Sequence, residues 1–175
     1  TSPRQEAAWL LLEFLAEPRN VVLVAPQGLG KTMIAQNIAH QAILAGHSVL
    51  FTSAAKMLVE LGGVQGSAHL FQQRLRKYTR VGLLIVDEVG YLSYDSKAAD
   101  LLFQVVSERH EKRPLVLTTN LTFSDWPTIF PNASCTVALI DRVLHHADVI
   151  AIEGESYRRR EAEARKSARR KKGTG

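Results

Sequence analysis

At 175 residues, 46% hydrophobic and 22% charged, the chain has room for one domain with a buried core and is too apolar for wholesale disorder. Its single cysteine, Cys135, rules out an internal disulfide and suits a reducing compartment. The longest apolar runs, such as Val21–Pro26 and Gly82–Val86, fall far short of the ~18 residues of a membrane span. Of the 22 Lys and Arg, nine lie in residues 158–175 beside only two acids, leaving 13 basic and 15 acidic residues before them. The charge of +5 is therefore a near-neutral globule with a basic tail, which favours polyanionic partners, nucleic acid first, over a merely solvated terminal helix.

In chain order, an amphipathic stretch predicts a helix over Gln5–Glu17, and Glu13 within it interrupts the apolar run that a signal peptide would need. The sequence opens on Thr1 rather than Met, so an N-terminal region is expected to be missing. A strand follows near Asn20–Ala25, then a helix over Lys31–Ala45 closed by Gly46 as a left-handed cap. A second strand is expected near Ser48–Thr52, and two helices, Ala54–Leu61 and Ala68–Arg80, are separated by Gly62, Gly63 and Gly66. A third strand near Gly82–Asp87, a helix over Ser96–Lys112, a fourth strand near Pro114–Thr118, a helix over Thr136–Ala147 and a fifth strand near Asp148–Ile152 complete the globule. The tail reads as helix from Ser156, with Glu161 and Arg165 paired at i,i+4. Alternating strands and helices of this kind predict an α/β, three-layer αβα fold on a five-stranded parallel sheet.

The segment from Ala25 to Thr32 follows a strand and opens a helix, the context a P-loop requires. Gln27, Gly28, Leu29 and Gly30 would turn backbone N–H groups around a phosphate; Lys31, Thr32 and Met33 open the helix, whose dipole favours the same anion. Lys31 can reach the β and γ groups, and Thr32 offers a hydroxyl to Mg²⁺. The third strand ends in Asp87-Glu88, where Asp87 would hold Mg²⁺ through its water shell and Glu88 would polarise the attacking water. Asn120 closes the fourth strand, where it could orient that water and sense the γ-phosphate, or merely cap its turn. A P-loop, an acidic pair and a polar strand end describe a hydrolase rather than a small-molecule kinase. Arg142 and Arg158 lie on either side of the last strand. An arginine supplied by a neighbouring subunit would link ATP binding to assembly, whereas a local pair with Asp141 or Asp148 is the plain alternative for Arg142.

The set formed by Asn20–Thr32, Val86–Leu92, Thr118–Leu121, Leu144–Ala147 and Gly154–Arg158 resembles the AAA+ ATPases of the initiator and helicase-loader branch. More narrowly, it resembles the IstB-type transposition helpers of bacterial insertion sequences. The resemblance implies the strand order 5-1-4-3-2, no full helical lid, ATP and Mg²⁺ as cofactors, Arg142 as arginine finger and Arg158 as second sensor. It divides the chain into an ATPase domain, 1–157, and a basic tail, 158–175. It further implies a cytoplasmic, nucleoid-associated protein that assembles with itself on double-stranded DNA and regulates a transposase. A DnaC-like helicase loader shares every catalytic residue, and a scaffold that binds ATP with little turnover is the rival of another class.

In this branch the helices over Ala54–Arg80 face nucleic acid, so Lys56, Arg74, Arg76, Lys77 and Arg80 are candidate phosphate contacts, with ordinary solvated surface as the alternative. Trp126 reads as a packing anchor. His145 and His146 are adjacent on an expected helix, so their rings would point apart with no third ligand nearby, which argues against a metal site.

Overall fold

The computed structural model describes residues 13–91, 93–131 and 134–154. Five strands form one parallel sheet, β1 (Asn20–Val24), β2 (Val49–Ser53), β3 (Leu83–Val89), β4 (Leu115–Thr119) and β5 (Ala147–Ala151), in the order β2-β3-β4-β1-β5. That is the expected order read from the other edge. The helices are α1 (Lys31–Leu44), α2 (Ala54–Gly62), α3 (Ala68–Thr79), α4 (Ser96–Arg109), a short α5 (Trp126–Ile129) and α6 (Thr136–Leu144). Arg158 and the rest of the tail lie outside the described residues, as does most of the expected first helix, of which residues 13–16 are helical.

Strand side chains alternate between two cores, as the period of two demands. Val22, Leu84, Val86, Leu115 and Leu117 pack against α2, α3, α4 and α6, whereas Val21, Leu23, Leu83, Ile85 and Val116 pack against α1 and Phe14 and Leu15. On α1 the buried positions are Ala35, Ala39 and Ala42, whose small side chains let the helix lie close to the sheet. Gly46 takes the expected left-handed position, φ 88°.

Two helices end earlier than the sequence suggests. α4 stops at Arg109 rather than Lys112, because His110 is extended and Glu111 turns left-handed at φ 58°. α6 stops at Leu144 rather than Ala147, with His145 extended and His146 at φ 53°. The sequence also lacks a clear signal for α5, which begins at Trp126 with Pro127 in its first turn, where the missing N–H costs nothing. Trp126 is fully buried between Phe123 and Phe130, at ring-centroid distances of 4.9 and 6.0 Å, so it is a packing anchor.

Arg109 is only 1% exposed and was not singled out by its type or its place on a helix. Its guanidinium donates to four backbone carbonyls: Tyr78 at 3.0 Å, Val81 at 2.7 Å, Gly82 at 3.2 Å and Pro114 at 2.6 Å. These groups bound the turn into β3 and the entry to β4, so one side chain sets where two central strands begin. Burial, with Arg113 nearby, pulls its pKa down to about 10, which leaves it charged at neutral pH. Replacing it would strand four carbonyl acceptors, two of them in buried and two in part-buried hydrogen bonds. Arg109→Met is expected to lower the unfolding free energy by about 3 kcal/mol or more in urea titration, whereas a loss under about 1 kcal/mol would show the staple to be dispensable.

Candidate functional site

The strands' C-terminal ends converge on a cavity of 870 Å³, lined by residues 27–33 of the loop after β1 together with Asp87, Glu88, Tyr91, Asn120 and residues 152–154. Ala25, where a first glycine is more usual, is 2% exposed and donates its N–H to Thr119 O at 3.1 Å. This position extends the β1–β4 ladder, and a methyl group is accommodated. Gly28 and Gly30 both adopt φ 83°, a region where an L side chain is strained. A Cβ on Gly30 would meet nothing within 4 Å, so the constraint there is conformational rather than steric. No acid sits in the first turn of α1, leaving its unpaired N–H groups suited to an anion.

Lys31 bends its ammonium back onto the loop, donating to Ala25 O and, at 2.9 Å, to Pro26 O. Partial burial lowers its pKa, and the charges of Asp87 and Glu88 act against that shift. Thr32 Oγ1 donates to Asp87 Oδ2 at 2.9 Å, joining the P-loop helix to β3. Asp87 is itself 5% exposed, and its second oxygen accepts the Thr118 hydroxyl from β4. That same hydroxyl accepts the Glu88 N–H at 2.9 Å. Thr118, fully buried, thus holds both members of the acidic pair, a role that sequence reading did not assign to it.

Glu88 stands out in its backbone. Its φ is 62°, and the β3–β4 register slips between Val86 and Val89 around it. The slip turns Glu88 out of the pleat, so its side chain is exposed at the cavity while Asp87 and Val89 stay buried. A non-glycine residue held left-handed at such a place is strain of the kind found at functional sites. Asn120 lines the same cavity, and the bond that closes its turn comes from a neighbour, Thr119 Oγ1 accepting Leu121 N–H at 3.2 Å. Tyr91, Ile152, Glu153 and Gly154 also line the cavity. They lie one to three residues beyond strand ends, and nothing in their local pattern marks them.

The structure therefore gathers every expected P-loop residue, Asp87, Glu88 and Asn120. It does not bring Arg142 there: Arg142 is an exposed residue of α6 whose guanidinium lies 5.9 Å above the Phe103 ring. Asp148, one of its expected local partners, pairs instead with Arg19 at 3.1 Å. Among the basic candidates on α2 and α3, Arg74 and Lys77 are joined to Glu60 at 3.3 and 2.9 Å, and Glu60 also accepts from the Tyr78 hydroxyl. Lys56, Arg76 and Arg80 are exposed. The expectation for the histidine pair needs correction. His145 and His146 follow the end of α6 rather than riding on it, and His110 and Glu111 stand beside them.

A parallel sheet in this order, a glycine cradle at φ 83° and a paired threonine–aspartate at its mouth define a P-loop nucleotide-binding protein of the AAA+ type. The chain belongs to the IstB-like ATP binding protein family, which it matches over residues 2–165. It is 40% identical over 150 residues to the "Insertion sequence IS232 putative ATP-binding protein" of Bacillus thuringiensis subsp. berliner, covering 86% of this chain and 60% of the relative. It is 36% identical over 152 residues to the corresponding IS5376 protein of Geobacillus stearothermophilus, covering 87% of this chain and 60% of that one. The chain thus spans about 60% of the length of these relatives. Among solved structures, the DnaC helicase loader matches with TM-score 0.65 at 14% identity, over 87% of this chain and 92% of that one. DnaA bound to AMPPCP and single-stranded DNA matches with TM-score 0.67 at 18% identity, over 89% of this chain and 48% of that one. At such identities the likeness is one of fold. No helix among the described residues is long and apolar enough to cross a membrane.

Thr118→Val keeps the shape but removes the hydroxyl on which Asp87 and the Glu88 N–H both depend. A loss of about 1–3 kcal/mol in unfolding free energy is expected by denaturant titration; an unchanged midpoint would mean that Asp87 is held by other groups.

Proposed function

We propose that this chain is an Mg²⁺-dependent ATPase that assembles with itself on double-stranded DNA and regulates a transposase. The observation that carries the reading is the hydrogen-bonded chain Thr32–Asp87–Thr118–Glu88 at the mouth of a glycine cradle, in a family whose relatives are insertion-sequence proteins. In this reading the amides of residues 27–33, with Lys31, bind the phosphates, and Lys31 exchanges the carbonyls of Ala25 and Pro26 for them. Thr32 and Asp87 present the oxygen donors that suit Mg²⁺, a hard cation, which when bound neutralises charge on the β- and γ-phosphates. Glu88, turned toward the cavity by its left-handed backbone, accepts a proton from the attacking water. Asn120 orients that water.

Arg142, exposed on α6, is the arginine offered to a neighbour's nucleotide, and Arg158 is the second sensor. Residues 1–157 form the ATPase domain and 158–175 a basic tail. Lys56, Arg76 and Arg80 contact DNA phosphates, joined by Arg74 and Lys77 to the extent that Glu60 leaves them charge to spare. The site of action is the bacterial cytoplasm, at the nucleoid.

Glu88→Gln should retain ATP without cleaving it. Light scattering behind a sizing column is then expected to show a large particle on long duplex DNA with Mg·ATP and none without nucleotide. A monomer on duplex DNA that binds single strands instead would overturn the duplex assembly and favour a helicase loader, which the DnaC-like fold accommodates equally well. Arg142→Ala should lower turnover by roughly 10³-fold, the scale of an arginine supplied in trans. Mixing it with Glu88→Gln should restore part of the activity, because one partner retains a complete site and the other retains the arginine. Failure of the mixture to exceed either variant alone would place Arg142 outside the reaction.

A further inference from the structure

Away from the nucleotide cavity, donors from two loops meet at the opposite end of the sheet. Ala147, the first residue of β5, pairs with Asn20, the first of β1, whereas the P-loop follows the last residue of β1, roughly 13 Å further along the strand. Here His110-Glu111 follow the end of α4 and His145-His146 follow the end of α6. The Oε1 of Glu111 lies 3.9 Å from His110 Nε2, 3.5 Å from His145 Nδ1 and 3.8 Å from His146 Nε2. The donor atoms of His110, Glu111 and His145 all fall within 4.8 Å of one another. The rings are gathered too, with centroids 4.9 Å apart for His110 and His145 and 4.1 Å for His145 and His146.

A tetrahedral ion with bonds of about 2.0 Å separates its ligands by roughly 3.3 Å, so small ring and carboxylate rotations bring these atoms to bonding distance. The chemistry of the set is selective. One carboxylate among imidazoles suits a borderline cation such as Zn²⁺, whereas Mg²⁺ and Ca²⁺ take oxygen-rich sites. The backbone is shaped to the same end. Among the described residues three non-glycine residues have positive φ; one is Glu88, and the other two are Glu111 and His146. At both loop turns, then, a left-handed residue halts a helix and presents a donor.

We infer that His110, Glu111 and His145 form a binding site for a divalent ion of the zinc type, with His146 or water as the fourth ligand. The site ties the end of α4 to the junction of α6 and β5, so the ion braces the helix whose preceding turn carries Arg142. It is separate from the nucleotide site in place and in donor chemistry.

Tag-free protein, without nucleotide or Mg²⁺, is titrated with Zn²⁺ by calorimetry and with Co²⁺ by visible absorption. The expectation is one ion per chain and the intense d–d bands of tetrahedral cobalt. His145→Gln and Glu111→Gln, whose side chains are 50% and 58% exposed and whose folding is checked by circular dichroism, should each weaken binding at least about tenfold. His40→Gln and His69→Gln, elsewhere on the surface, should bind as the parent does, and Asp87→Asn should keep the zinc while losing the Mg·nucleotide. Three results would overturn the site: no saturable Zn²⁺ binding, binding unchanged in His145→Gln and Glu111→Gln, or binding lost in Asp87→Asn.

Discussion

The Asp87 carboxylate is the point to which the three parts of the nucleotide site are tied. One oxygen takes the hydroxyl of Thr32 from the P-loop helix, the other takes that of Thr118 from the neighbouring strand. A carboxylate 5% exposed is costly to bury without such partners, and each partner here belongs to a different element. The interaction therefore couples folding to site geometry. Helix α1, β3 and β4 cannot shift relative to one another without leaving a charge unsatisfied, and the same hydroxyl that serves Asp87 also fixes the backbone of Glu88.

At the other end of the sheet, Arg109 does the complementary task. The C-terminal ends of β3 and β4 are registered by a carboxylate and two hydroxyls, and their N-terminal ends by a guanidinium and four carbonyls. Between them the strands are apolar and packed on both faces. Specific polar contacts at the two edges of an apolar sheet hold the cavity residues at a fixed height.

The P-loop was readable because its chemistry is local. Seven consecutive residues dictate the turn, the helix start and the cradle, and the acidic pair ends an unmistakable apolar run. The buried role of Arg109 was not readable, because three of its four acceptors lie 27 to 31 residues away and all are backbone carbonyls, which any sequence supplies. Glu60 with Arg74, Lys77 and Tyr78 illustrates the same limit: each helix alone shows ordinary surface charges, and only packing α2 on α3 pairs them. The histidines failed for a different reason. Periodicity extended two helices through positions where the backbone turns left-handed at glutamate and histidine, residues without the usual glycine signal. That error of three residues at each helix end changed which side chains could meet.

The left-handed backbone at Glu88 has a consequence for how this protein evolves. A residue held at φ 62° with a long, unbranched side chain carries a conformational cost that glycine or asparagine would relieve. Stability and chemistry thus pull in opposite directions at this one position, with about 1 kcal/mol available to any lineage that abandons the carboxylate. On the proposed role of Glu88 as the base, a copy of the chain released from selection for turnover should drift toward glycine or asparagine here before its cradle decays. On that role, the residue at this position marks whether a related chain keeps the group proposed to activate water.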